Sequence, residues 1–209
     1  MASDSSRAAL TRRTLLEYAR RHQRPGSGSL LWQKGTPFVH QWPNLHDLLA
    51  GIPWAVVGAV ATRQYMPERA TADLDISILP ADASRAAERL RAGGYAKAGD
   101  LTIGGTPWRS PSGVGVDVIE GRETWWPTAL AAAEVERDAQ GTPILPLAYL
   151  VLMKLIAGRV QDTADVTRML GYASDAELGG VRTIVAANNR ELLDDLEGFI
   201  ALGKLETQQ

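Results

Sequence analysis

The sequence predicts an α+β protein in which a mixed β-sheet is flanked by helices and followed by a C-terminal helical region. Three observations lead there. Short apolar segments with strand patterning recur through residues 51–145. Helical periodicity alternates with them in that span. From Leu145 onward only helical periodicity remains. The chain therefore divides into an N-terminal helix and extended arm (1–50), a sheet domain (51–145) and a helical region (146–209).

The elements follow in order. Leu10, Leu15, Leu16 and Ala19 recur at helical spacing, with Arg12, Arg13, Arg20 and Arg21 around them, and predict a short basic helix over 8–22. Arg24 to Ser29 is a turn or linker, and 30–40 a strand or extended arm. Pro43 and Asn44 open a helix that runs to Leu49. Trp54 to Val57 reads as a buried strand that breaks at Gly58, with a short helix over about Val60 to Tyr65. Ala72 to Leu79 alternates, so Leu74, Ile76 and Ile78 share one face and Asp73, Asp75 and Ser77 the other. Ala81 to Ala92 is helical and stops at Gly93-Gly94. Ala96 to Ile103 and Thr106 to Ser110 form a hairpin around Gly104-Gly105, and Val114 to Ile119 is a strand carrying Asp117. A long helix then occupies most of Leu145 to Leu170. Two more, about Asp175 to Ala187 and Arg190 to Leu202, close the chain.

Composition removes several function classes. With no cysteine in 209 residues, disulfides, thiol nucleophiles and thiolate zinc sites are excluded. His22, His40 and His46 have no metal-ligand spacing. The net charge of −2 speaks against a strongly basic nucleic-acid binder, though not against a local basic patch. No apolar run reaches the ~20 residues of a membrane helix, and the polar N-terminus has no signal core. A soluble cytoplasmic protein that does not engage a membrane is the expectation.

Asp73 and Asp75 carry the most information. Aspartate is disfavoured in strands. Two at i and i+2 fall on one face, where their charges repel unless a cation lies between them, and magnesium suits oxygen ligands. Asp117 interrupts a second apolar strand. If that strand pairs beside the first, three carboxylates converge, an arrangement that can hold two metals about 3.5–4 Å apart for in-line displacement at phosphorus. Taken alone, the aspartates fit equally well the solvent face of an edge strand. The turn Val57-Gly58-Ala59 adds a strand-to-helix corner whose backbone N–H groups attract phosphate.

Trp54 to Ile78, together with Asp117, resembles the DNA-polymerase-β-type nucleotidyltransferase superfamily. Its pattern is an apolar strand, a Gly-Ser or Gly-Gly turn, a spacer of around a dozen residues, Asp-x-Asp on the next strand and a third carboxylate on a later one. Arg69-Ala70-Thr71-Ala72-Asp73-Leu74-Asp75 is similar to the arginine, threonine and DxD run of the AbiEii-like bacterial group, which includes toxins of toxin–antitoxin and phage-defence systems. The likeness spans about residues 50–172. It implies a nucleotidyltransferase-type sheet over 51–145 and magnesium-dependent transfer of a nucleotidyl group from a nucleoside triphosphate. The acceptor hydroxyl would belong to RNA (tRNA among the candidates), a protein or a small molecule, and a cognate antitoxin would be a partner. Asp73, Asp75 and Asp117 would hold magnesium, and Gly58, Ala59, Arg69 and Thr71 would contact the nucleotide. Ala59 lacks the hydroxyl that a serine after the glycine would offer to phosphate. That departure keeps open an alternative, a nucleotidyltransferase fold used as a non-catalytic binding or regulatory module.

The group also carries a lysine, an arginine and paired aspartates on the helix after the sheet, matched here by Lys154, Arg159, Asp162 and Asp165. On one continuous helix turning about 100° per residue, Lys154, Asp162 and Asp165 fall within an arc of about 80°. Lys154 is then expected to serve catalysis by neutralising the triphosphate, with the aspartates orienting it or Arg159. Read from the residues alone, the same charges make a solvated face laced by i,i+4 pairs. Trp125-Trp126 reads as core, or as a stacking surface for a base.

Overall fold

The computed structural model describes residues 42–67 and 71–207. They fall into two compact units, one ending at Pro146 and the other beginning at Leu147. The basic helix over 8–22, the arm over 30–40 and Arg69 lie outside the described residues.

The first unit is built on a five-stranded mixed sheet in the order β1-β2-β5-β4-β3. β1 (Trp54–Val56) runs antiparallel to β2 (Asp73–Ile78), and β2 runs parallel to β5 (Gly115–Glu120). β4 (Gly105–Arg109) is antiparallel to β5, and the two-residue β3 (Ala96–Lys97) is antiparallel to β4. The glycine pair is used close to the expected place: Gly104 and Gly105 have φ of 92° and 115°, a region that side chains with a Cβ rarely enter.

Alternation decides the two faces of the sheet. Leu74, Val116 and Trp108 form one register row across β2, β5 and β4, and all three are buried. On this face α2 (Ala83–Ala92), preceded by a 3₁₀ turn at Pro80–Asp82, sets Ala87 and Leu90 beside Ile78, Trp108 and Val118. The opposite face carries Asp73, Asp75 and Ser77 on β2. It is half-buried at the two aspartates and closed at Ser77, whose hydroxyl donates to the Ile119 carbonyl at 3.2 Å.

Several elements differ from expectation. Pro43 to Leu49 is irregular up to Leu45 and makes turns from His46, with one helix-like bond from Leu49 N–H to the Leu45 carbonyl, and does not extend into a helix. The helix after β1 begins at Gly58 itself and lasts five residues (α1, Gly58–Thr62). A helix not expected from the sequence, α3 (Trp126–Val135), follows β5; Pro127 sits in its first turn, and Ala129, Leu130 and Ala133 are buried. Its alanine-rich run has high helix propensity but weak periodicity, so the pattern that reveals amphipathic helices was missing.

Among its described residues the second unit is all helical. The long helix expected over Leu145 to Leu170 is two helices, α4 (Leu147–Ala157) and α5 (Val160–Tyr172). They break at Gly158, whose φ of 62° departs from helical geometry. α6 (Asp175–Asn188) starts with a capping box between Ser174 and Glu177. A 3₁₀ turn at Arg190–Leu192 leads into α7 (Leu193–Thr207). α5 and α7 touch backbone to backbone: a Cβ on Gly203 would lie 2.7 Å from the Gly171 nitrogen. No described helix is long and apolar enough to cross a membrane.

Candidate functional site

The parallel pairing of β2 with β5 puts Asp75 opposite Asp117 and Asp73 opposite Gly115. Register partners in a sheet present their side chains to the same face, so Asp73, Asp75 and Asp117 share one half-buried surface. The row of Asp73 continues through Gly115 to Arg109 on β4, which is exposed and donates to the Gly113 carbonyl at 2.8 Å. The row of Asp75 continues through Asp117 to Pro107.

Two glycines bound the carboxylates. Gly58 has a φ of 62°, and a Cβ there would stand 2.6 Å from the Asp75 carboxyl carbon and 2.8 Å from the Asp75 Cβ. The corner after β1 is therefore closed to larger residues for two reasons, backbone conformation and the aspartate pressed against it. It is tied to β2 by the Val57 N–H, which donates to the Asp75 carbonyl at 2.9 Å. Gly115 does the same for Asp73 without unusual backbone: a Cβ would lie 3.0 Å from the Asp73 carboxyl carbon.

The Asp117 carboxyl is pushed above the usual carboxylate range, first by burial and then by the negative charge of Asp73. Such a carboxylate holds a proton more readily than a surface aspartate does. A divalent cation would relieve both penalties. The donor set is all hard oxygen, as magnesium requires. Among the described residues, no three His, Asp or Glu side chains gather closely enough to hold a metal by themselves. Magnesium does not need them to, because it takes one or two carboxylates and completes its shell with phosphate oxygens and water. The residues present thus fit that ion.

No family model matches the chain. No curated protein matches it either. Among solved structures, the chain is similar to the antibiotic-resistance factor ANT(2'')-Ia, whose solution structure is described as revealing substrate-regulated conformation dynamics. Identity is 11%, coverage is 99% of this chain and 100% of the other, and the TM-score is 0.43. It is also similar to terminal uridylyl transferase 4 from Trypanosoma brucei with bound GTP. There the identity is 15%, coverage is 68% of this chain and 47% of the other, and the TM-score is 0.29.

The remaining expected site residues are placed as follows. Ala59 is buried in α1. The Thr71 hydroxyl donates to the Asp73 carbonyl at 3.3 Å, which steadies the entry to β2. Lys154 lies on α4 and Asp162 and Asp165 on α5, so the single-helix arc expected for them does not exist. The helices break at Gly158, and the three groups meet between α4 and α5. Lys154 Nζ is 3.1 Å from Asp162 Oδ1 and 2.8 Å from Asp165 Oδ2, and all three side chains are 2–3% exposed. Arg159 holds Asp162 from the other side at 2.5 Å. Lys154 is therefore withdrawn from solvent and engaged by two carboxylates, whereas the sequence pattern assigns its charge to phosphate. Trp125 and Trp126 stack on each other with centroids 4.3 Å apart, and both are buried. The Trp126 indole donates to Glu123 at 2.7 Å. Neither ring is presented to a base.

Sequence reasoning passed over Gly115 and Arg109. A glycine opening a strand rich in valine and isoleucine is a signal of close approach. For Arg109 no signal existed, because its place on the acidic face depends on the register of β4.

Proposed function

We propose that the acidic face of β2 and β5 is the active site of a nucleotidyltransferase. The observation that supports this most directly is the parallel register of Asp75 with Asp117, one step from Asp73 on the same half-buried face. In the reaction envisaged, the oxygen of an acceptor hydroxyl attacks the α-phosphorus of a nucleoside triphosphate in line. The new P–O bond forms as the bond to the β-phosphate oxygen breaks, and pyrophosphate leaves. Asp117, with its raised proton affinity, is suited to take the hydroxyl proton. Asp73, Asp75 and Asp117 would hold magnesium, which when bound neutralises charge on the phosphates and aligns them. Gly58 borders Asp75 and Ala59 follows it in the corner, so phosphates drawn to a cation there meet the backbone of that corner. Thr71 positions the strand entry, and Arg69, three residues before Ala72, is assigned to phosphate on the sequence pattern. RNA, protein and small-molecule hydroxyls all remain acceptor classes for this reading, as does a toxin role with a cognate antitoxin.

A second reading has one observation behind it. Ala59 supplies no hydroxyl at the corner, which favours a module that binds a nucleotide without turning it over.

One experiment separates the two. The protein is incubated with magnesium, labelled nucleoside triphosphates and tRNA, protein or aminoglycoside acceptors, and binding is measured in parallel by calorimetry. Labelling that disappears in Asp73→Asn and Asp117→Asn supports transfer. Magnesium-dependent nucleotide binding without labelling supports the module. Absence of both sinks the site.

A further inference from the structure

Gly115 is glycine for a reason its own backbone does not supply. Its φ lies outside the left-handed region, so any residue fits the main chain there. It opens β5, between Asp73 on β2 and Arg109 on β4. The nearest atoms a side chain would meet are all of Asp73, with a Cβ 3.0 Å from the carboxyl carbon and 3.5 Å from the Asp73 Cβ, and an overlap with Oδ1. The Asp73 carboxylate thus lies in the space that every other amino acid would fill. It leans across β2 onto the strand that carries Asp117 on the same face two residues later.

We propose that Gly115 is a positioning residue for the metal-binding carboxylates: its missing side chain is the notch that seats Asp73 over β5, beside Asp117. This rests on the reading of the acidic face as a magnesium site. Gly58 performs the corresponding service for Asp75, but its left-handed backbone also demands glycine. Gly115 is therefore the place where seating of a carboxylate can be tested apart from backbone strain.

The substitution Gly115→Ala meets no backbone obstacle, and the atoms in its way are the far end of a rotatable side chain. The variant folds and turns the Asp73 carboxylate out of its seat. The probe is manganese alone, followed by electron paramagnetic resonance, with magnesium as competitor. Wild type binds manganese, and Gly115→Ala binds it about 10-fold more weakly, the usual scale for displacing a ligand through its neighbour. Thermal midpoints give the second readout. In an Asp73→Ala background nothing occupies the notch, so Gly115→Ala raises the midpoint more there than in the wild-type background, as alanine does relative to glycine in a strand.

Unchanged manganese affinity in Gly115→Ala overturns the proposal while the metal site stands. Equal midpoint shifts in both backgrounds also overturn it, because Gly115 would then act independently of Asp73. Wild type that binds no manganese, with or without a nucleoside triphosphate, overturns the metal site itself and the proposal with it.

Discussion

Replacing Lys154 with methionine keeps the length of the side chain and removes its charge from between two buried carboxylates. Asp162 and Asp165 stand 3.1 and 2.8 Å from the ammonium and are almost excluded from water. After the change Asp162 retains Arg159, and Asp165 retains the Gln161 amide at 3.3 Å. Breaking a buried pair by removing one partner costs about 3–5 kcal/mol, since the remaining charge keeps its desolvation penalty. In a chain of this length each kcal/mol moves the thermal midpoint by about 2–4 °C, so the expected fall is about 6–20 °C. It should appear as loss of the helical signal in circular dichroism, because the network joins α4 to α5. The triple variant Lys154→Met/Asp162→Asn/Asp165→Asn removes all three charges and should recover most of the loss. Nucleotide affinity, measured at a temperature where Lys154→Met is folded, should stay within twofold of wild type. A stability loss under about 1 kcal/mol, or a large loss of nucleotide affinity in the folded variant, would refute a purely structural role for this lysine.

Other outcomes follow from the same geometry. Gly58→Ala should destabilise by about 1–2 kcal/mol for left-handed backbone alone. The overlap with Asp75 adds to this, and Gly58→Ala/Asp75→Ala in urea melts should recover only the overlap part. Asp117→Asn should raise stability of the metal-free protein at neutral pH. A carboxyl whose folded-state proton affinity is raised is fully accommodated below its ordinary value of 3.8 and becomes a burden as pH rises through the folded-state value. The gain should therefore vanish in melts below about pH 4, and a gain independent of pH would contradict the assignment. Ser174→Ala should cost about 1 kcal/mol by removing the α6 cap. Glu177 is held below its ordinary range chiefly by the Ser174 hydroxyl, so the stability it adds is present above pH 4.5 and is lost as pH falls through its folded-state value. Glu177→Gln should flatten that acid limb in thermal melts.

The residues of the candidate site were legible in the chain. Asp73 and Asp75 are disfavoured in strands and two residues apart, so their shared face followed from the period of a β-strand. The interruption of an apolar run by Asp117, the corner at Gly58 and the stop at Gly93-Gly94 were likewise written in neighbouring residues. Where local pattern was weak, reading was weak. The alanine-rich α3 gave no amphipathic period, and the apolar period over Leu145 to Leu170 predicted one long helix where Gly158 separates two.

What the sequence by itself determined is the α+β class, the strand faces and the three carboxylates. These depend on side-chain period and propensity within a few residues of each other. Tertiary structure alone decided that Asp75 and Asp117 lie side by side, since parallel register is set by strands some 40 residues apart. It alone decided that Gly115 yields its space to Asp73. It also turned Lys154, Asp162 and Asp165 from the supposed face of one helix into a buried ion cluster between two, because a left-handed residue ends the first helix and burial then requires the charges to pair.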